Sequence, residues 1–287
     1  GKSSAVRAVI EAARESERPV LAFRIDRMLA AQTRADLGDM ILGRKEDPVG
    51  ILGNRYPGRE TVLVVDQVDA VSDASGRSNR ARDLLFEMIR SADFFGRMKI
   101  VLACRTYDLD NDAHLKRLEE SPRSKTVRLN RLDWEQAVVP ILDRLSLLKR
   151  EYSDRERRLL SVPINLEIYT QIAGAGGTVA GELSASRLFD VLLQTRAKEF
   201  RQAGISWTPL SAMGLIAAYM SESQELTAPA SVLSGLDGGV EALGSAGLIT
   251  VAANRLQFSH ESFFDHAFSS DFVASRRAVL DLLLAAE

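Results

Sequence analysis

The residues with chemistry to offer are Asp66 and Asp69, which close the run Thr61-Val62-Leu63-Val64-Val65-Asp66-Gln67-Val68-Asp69. Four aliphatic residues in succession, with no polar alternation, predict a strand covered on both faces, as inside a parallel sheet. In open α/β sheets ligands bind beyond the carboxyl ends of the strands, so Asp66 emerges where a ligand would sit, with Asp69 just beyond it. A carboxylate there can hold Mg²⁺, directly or through water, against a bound phosphate. The stretch reads equally as a buried strand followed by an acid-rich turn, and by itself it does not choose.

The amino end of the chain supplies the complementary charge. Gly1-Lys2-Ser3-Ser4 opens a helical pattern with Val6, Val9 and Ile10 on one face. These residues match the tail of the signature G-x-x-x-x-G-K-[ST], in which backbone amides cradle phosphates, the lysine reaches the β/γ-phosphates and the hydroxyl ligates Mg²⁺. The first half of the signature is not in the chain, so the expectation is a fragment cut inside the motif, with a first strand and most of the phosphate loop missing. Gly1, Lys2, Ser3 and Ser4 are expected to bind nucleotide phosphates, and Ser3 and Asp66 to bind Mg²⁺.

At 287 residues the chain can bury an ample core. Hydrophobic residues make up 46% and charged residues 26%, the balance of a soluble globular protein. Lysines and arginines number 37 against 39 acids, so no global excess marks a nucleic-acid binder. A single cysteine, Cys104, excludes an intrachain disulfide, and with 3 scattered histidines it makes no zinc cluster. This fits a reducing cytoplasm, the expected location. No apolar run reaches the ~18 residues of a membrane span, and no signal peptide is visible.

The elements that must position these residues alternate. A helix over about Ser3 to Ser16 leads to a strand at Pro19–Arg24, a polar helix near Thr33 to Leu42, and a turn at Asp47-Pro48-Val49-Gly50. After the acidic strand, Ser72–Ser78 is a loop by composition, and Asn79 caps a helix through Leu84, Leu85, Met88 and Ile89. A strand at Lys99–Cys104, a helix near Asp112 to Leu118 and a strand at Thr126–Leu129 complete a three-layer α/β sandwich with a parallel sheet over residues 1–130. From Asp133 strand signals cease: helices begin at Asp133, after Ser153, at Ile164 and over Ser184 to Arg201, giving an all-α domain over 131–204. Residues 205–287 read as helices at Leu210–Met220, Ala230–Leu236 and Gly239–Ser245, then a hairpin of Gly247–Val251 and Arg255–Phe258 about Ala253-Asn254. That order is a winged helix.

In these motifs and their order the chain resembles the nucleotide-binding module of the STAND class of P-loop ATPases, within the AAA+/NACHT-like group. The likeness rests on Gly1-Lys2-Ser3, Asp66-Gln67-Val68-Asp69, Ala103-Cys104-Arg105-Thr106, Val162-Pro163 and Phe258-Ser259-His260-Glu261-Ser262-Phe263-Phe264. It implies ATP/ADP and Mg²⁺ as cofactors, with Lys2 on the β/γ-phosphates, Ser3 on the metal, and Asp66 holding the metal through water. Arg105 would be a sensor of the γ-phosphate, Pro163 would line the adenine pocket, and His260 would touch the β-phosphate of bound ADP. Arg123 lies where some relatives supply an arginine finger to a neighbouring subunit. His114 and His266 have no such support. Where many AAA+ enzymes carry glutamate after the metal-binding aspartate this chain has Gln67, which cannot act as a base. Asp69 is then the candidate for orienting the attacking water, and turnover is expected to be slow.

Three functions compete. The first is an ADP/ATP switch controlling self-association of a larger signalling or defence protein, with an effector domain before residue 1 and a sensor domain after residue 287. The second is a DNA-binding AAA+ ATPase. Its recognition helix would be Gly239–Ser245, which carries an acid and no base, so nucleic acid is not favoured, though Arg255 in the wing keeps it open. The third is a scaffold that binds nucleotide without hydrolysing it. None involves a membrane.

Overall fold

The computed structural model describes residues 2–72, 79–148, 150–179, 181–252 and 254–274. The chain divides into two compact units, Gly1–Asn130 and Arg131–Glu287.

The first unit is a mixed α/β structure on a parallel sheet of β1 (Val20–Arg24), β2 (Thr61–Asp66) and β3 (Met98–Leu102), in that order. Central β2 is buried at every position. Its two faces explain why it lacks alternation. Val62 and Val64 pack with Val6, Ile10 and Ala13 of α1 (Lys2–Glu15). Leu63 and Val65 join a separate core with Leu52 of α3 (Pro48–Arg55) and Leu84, Leu85 and Met88 of α4 (Asn79–Asp93). Helices thus cover both faces, and every second residue of β2 is needed by a different layer.

Local chemistry accounts for most boundaries in this unit. Thr33 forms a reciprocal capping box with Asp36 and starts α2 (Arg34–Leu42). The expected turn at 47–50 is instead the start of α3. Asp47 accepts the N–H of Val49, and Pro48 takes a first-turn position where its missing N–H costs nothing. Past β3, α5 (Thr106–Asn111) is unforeseen, and α6 (Ala113–Glu119) follows once Asp112 caps it through the N–H groups of His114 and Leu115. The expected strand at Thr126–Leu129 does not form. Val127 and Leu129 are 72% and 54% exposed, and between them Arg128 pairs with Asp110 and Glu119, so ion pairs rather than a ladder hold the segment. Of the expected loop, residues 73–78 lie outside the described residues, and Asn79 is the first residue of α4.

The second unit opens with a wide helical turn at Trp134–Val138, capped by Asp133, that runs into α7 (Val139–Arg144). There follow α8 (Asp154–Leu160), α9 (Pro163–Gly174), α10 (Ala185–Gln202) and α11 (Pro209–Glu222). Ser153, Ser184 and Thr208 each accept an N–H from the first turn they precede. Beyond them lie β4 (Ala228–Pro229), α12 (Gly239–Ser245), β5 (Ile249–Ala252), β6 (Arg255–Phe258) and α13 (Glu261–Ala274). The predicted hairpin forms, and the unforeseen β4 adds to it as an antiparallel sheet in the order β4-β6-β5. The expected helix at 230–236 is a single tight turn, Ala230–Leu233. One hydrophobic core extends from Val138 to Ala267 and takes in Leu142, Leu160, Leu192, Ile216, Leu243 and Leu256. Among the described residues no helix is long and apolar enough to cross a membrane.

Candidate functional site

The carboxyl edge of the parallel sheet is where charge collects. The β2–β3 ladder continues past the strands: Ala103 donates its N–H to the Val65 carbonyl at 3.0 Å and Val68 donates to the Ala103 carbonyl at 2.9 Å. To make this second bond the chain turns sharply at Gln67, which adopts the left-handed conformation (φ 60°, ψ 40°) uncommon for a residue with a side chain. The turn tucks Asp69 into a tight helical turn, Val68–Val71, in which all four residues are buried.

Two cations from distant parts of the chain converge on that carboxylate. Lys2, in the first turn of α1, donates from Nζ to Asp69 Oδ1 at 2.8 Å. Arg105, which precedes α5, brings Nε to 3.2 Å from Asp69 Oδ2. The Asp69 side chain is 5% exposed, whereas those of Lys2 and Arg105 are 30% and 40% exposed. One buried anion is thus shared by two cations that both still reach water. Through Lys2 the amino end of α1 lies at the same edge, where the helix dipole adds positive potential.

Asp66 stands at the head of the same turn. It is buried, and its Oδ1 accepts the N–H of Gln67 at 2.8 Å. Ser3 and Ser4 are exposed on the first turn of α1. Gly1 lies outside the described residues. Among the described residues no group of three or more histidines, cysteines or acids could hold a metal by itself. Mg²⁺ on a bound phosphate asks for less, one or two hard oxygen ligands with water and phosphate completing the octahedron. The Asp66 carboxylate, buried with one hydrogen-bond donor, and the Ser3 hydroxyl fit that donor set.

Neighbouring strand ends add a pair that the sequence reading missed. Arg24, opposite Asp66 in the β1–β2 register, makes a bidentate ion pair with buried Asp26, at 3.1 and 2.7 Å. The signal was an arginine closing an apolar strand, as Asp66 closes β2. Cys104 is half-buried beside the cluster, and burial first, then the Asp69 charge, raises its thiol from 9.0 to about 11. The thiolate fraction at pH 8 is then lower than that of the unfolded chain by about two orders of magnitude. Iodoacetamide at that pH is expected to label the folded protein correspondingly slowly and the urea-unfolded protein at the rate of a free thiol.

The remaining predicted site residues sit as follows. Arg123 is exposed in the first unit, with Asp93 3.8 Å away. Pro163 is the first residue of α9. His260 precedes α13, and its Nδ1 accepts the N–H of Ser262 at 3.1 Å. With Glu167, Gln171, Ser259 and Phe263 it lines a cleft of about 120 Å³ within the second unit. His266 is buried against Phe189, and burial lowers its affinity for a proton, opposed by Asp190. A larger cleft of about 290 Å³ lies along α4, lined by the bases Arg80, Arg82 and Arg90, the acids Asp83 and Glu87, and Phe86 and His114, and contains none of Lys2, Asp66, Asp69 and Arg105.

Comparison with protein-family models matches none, and no curated protein is similar in sequence. Among solved structures, the Walker-type ATPase PABY2304 of Pyrococcus abyssi is 14% identical, with 93% of this chain and 87% of that one covered and a TM-score of 0.36. The ORC1 protein of Aeropyrum pernix, in complex with DNA, is 12% identical, with 94% and 83% covered and a TM-score of 0.29. TM-scores at this level do not establish a shared fold.

Proposed function

We propose that this chain is the nucleotide-binding module of a slow, Mg²⁺-dependent P-loop ATPase of the STAND class. It would act as an ADP/ATP switch that controls self-association of a larger signalling or defence protein. The observation that carries the reading is the convergence of Lys2 and Arg105 on Asp69 at the carboxyl edge of a parallel sheet, one turn beyond buried Asp66. That edge is where open α/β sheets bind their ligands, and the groups gathered there are those phosphoryl transfer requires: cations for the phosphate oxygens and a carboxylate for a metal.

In this reading Lys2 binds the β/γ-phosphates, with the backbone of Gly1 and the hydroxyls of Ser3 and Ser4 around them, and Arg105 meets the γ-phosphate. Ser3 and Asp66 hold Mg²⁺, which when bound neutralises charge on the phosphate oxygens. Asp69 orients the attacking water in place of the glutamate that Gln67 replaces, and the weak activation keeps hydrolysis slow. Pro163 lines the adenine pocket, and Arg123 reaches a neighbouring subunit. Residues 131–204 serve as the helical domain and 205–287 as a winged helix, whose His260 touches the β-phosphate of ADP and holds the module closed.

The switch is tested on the intact protein by His260→Ala. Loss of one contact made only in the ADP state shifts the equilibrium toward the associating form. Light scattering is expected to show self-association in ADP that the unaltered protein shows only in ATP. An unchanged ADP-state mass would remove His260 from the switch. DNA binding has less support, because α12 carries Glu241 and no base, and the Arg255 guanidinium is engaged by Glu225 and Thr227.

A further inference from the structure

We infer that Lys2 and Arg105 form an oxyanion clamp whose resting occupant is the Asp69 carboxylate, so that a phosphate group enters by displacing Asp69 rather than by filling an empty site. The nucleotide reading supplies only the identity of the phosphate-bearing ligand.

Asp69 Oδ1 accepts a hydrogen bond from Lys2 and Oδ2 lies in ion-pair range of Arg105 Nε at 3.2 Å, so each carboxylate oxygen faces one cation, as two oxygens of a tetrahedral phosphate could. The three residues come from separate segments, and only Asp69 is buried. The Lys2 and Arg105 side chains are 30% and 40% exposed, and although the Arg105 Nε that faces Asp69 is itself buried, an anion from solution can approach the exposed part of each side chain. A phosphate bears more negative charge than the carboxylate it replaces, so the two cations attract it more strongly. The exchange also gives Asp69 two successive tasks. With the cations transferred to phosphate, its carboxylate is released from both ion pairs at the place where an attacking water has to be oriented. A resting ion triad therefore keeps the water-orienting group occupied until a phosphate arrives.

The experiment is a calorimetric titration of the intact protein with inorganic pyrophosphate and, separately, with ATP, using wild type, Asp69→Asn and Arg105→Gln. Asp69→Asn removes the internal competitor at constant shape and is expected to tighten pyrophosphate binding about tenfold, while ATP turnover falls. Arg105→Gln alters a partly exposed side chain and serves as an independent variant, expected to weaken pyrophosphate binding by about tenfold. Unchanged or weaker pyrophosphate binding in Asp69→Asn overturns the clamp, as does unchanged binding in Arg105→Gln, or no pyrophosphate binding to any of the proteins. Should ATP bind wild type without tightening in Asp69→Asn, the clamp fails and the nucleotide reading stands. Should Asp69→Asn gain affinity for pyrophosphate while ATP binds neither protein, the clamp stands and the nucleotide reading fails.

Discussion

Lys2→Ala is expected to weaken ATP and ADP binding to the intact protein by about 10- to 100-fold, the ~1.5–3 kcal/mol of a hydrogen bond to a charged group. The lysine sits in the first turn of α1, and its ammonium is already aimed at the carboxyl edge of the sheet by Asp69. Folding is not expected to suffer in proportion. The side chain is partly exposed, Asp69 keeps Arg105 as a partner, and α1 is anchored by Val6, Ile10 and Ala13 against β2 rather than by its charge. The thermal midpoint without nucleotide is therefore expected to move little, and the shift that a fixed ATP concentration produces is expected to shrink. A variant that loses stability without losing its nucleotide-induced shift would assign Lys2 to architecture.

Asp66→Asn is expected to lower ATP turnover about 100-fold or more, because an amide cannot supply the negative charge that holds Mg²⁺ on the phosphates. Here stability and activity are expected to move in different directions. Asp66 is a buried carboxylate with one backbone donor, the N–H of Gln67, and an asparagine oxygen can accept the same bond without a charge to desolvate. The nucleotide-free variant is thus expected to melt no lower than wild type while turnover collapses. Binding of ATP in EDTA should be nearly unaffected, since the lost interaction passes through the metal. Equal losses of ATP affinity with Mg²⁺ and in EDTA, or a lower melting point, would point to a structural aspartate.

How much of this was legible in the sequence depended on the range of the interaction. β2 could be read because its burial on both faces leaves a mark in five consecutive residues, Thr61 to Val65, ended by a charge. The helix starts after Ser153, Ser184 and Thr208 could be read because a capping side chain bonds an N–H two or three residues away. Asp47-Pro48 carries the same local signal, but it is shared with turns, and only the packing of Val49 and Leu52 into the core selects the helix. Residues 126–129 show the opposite failure. Val127 and Leu129 alternate as a strand should, yet strand formation needs a neighbour to pair with, and alternation says nothing about one.

The site divides along the same line. Lys2, Asp66, Asp69 and Arg105 could each be nominated from residue type and position at an element end. That Asp69 holds Lys2 and Arg105 together could not, because those contacts join residues 67 and 36 positions apart, through a ladder extension that depends on the left-handed turn at Gln67. The same distance kept Arg24–Asp26 out of view as a feature of the site: its position beside Asp66 is a matter of strand register, which pairs Arg24 with Asp66 across the sheet.

The central claim is that this carboxyl edge binds nucleotide phosphates, and the most direct measurement is an equilibrium titration of the intact protein with ADP in Mg²⁺, for wild type and Lys2→Ala side by side. The predicted result is saturable binding of one nucleotide per chain in the wild type, weakened at least tenfold in the variant. Absence of saturable binding in the wild type, or equal affinity in the two proteins, would contradict it.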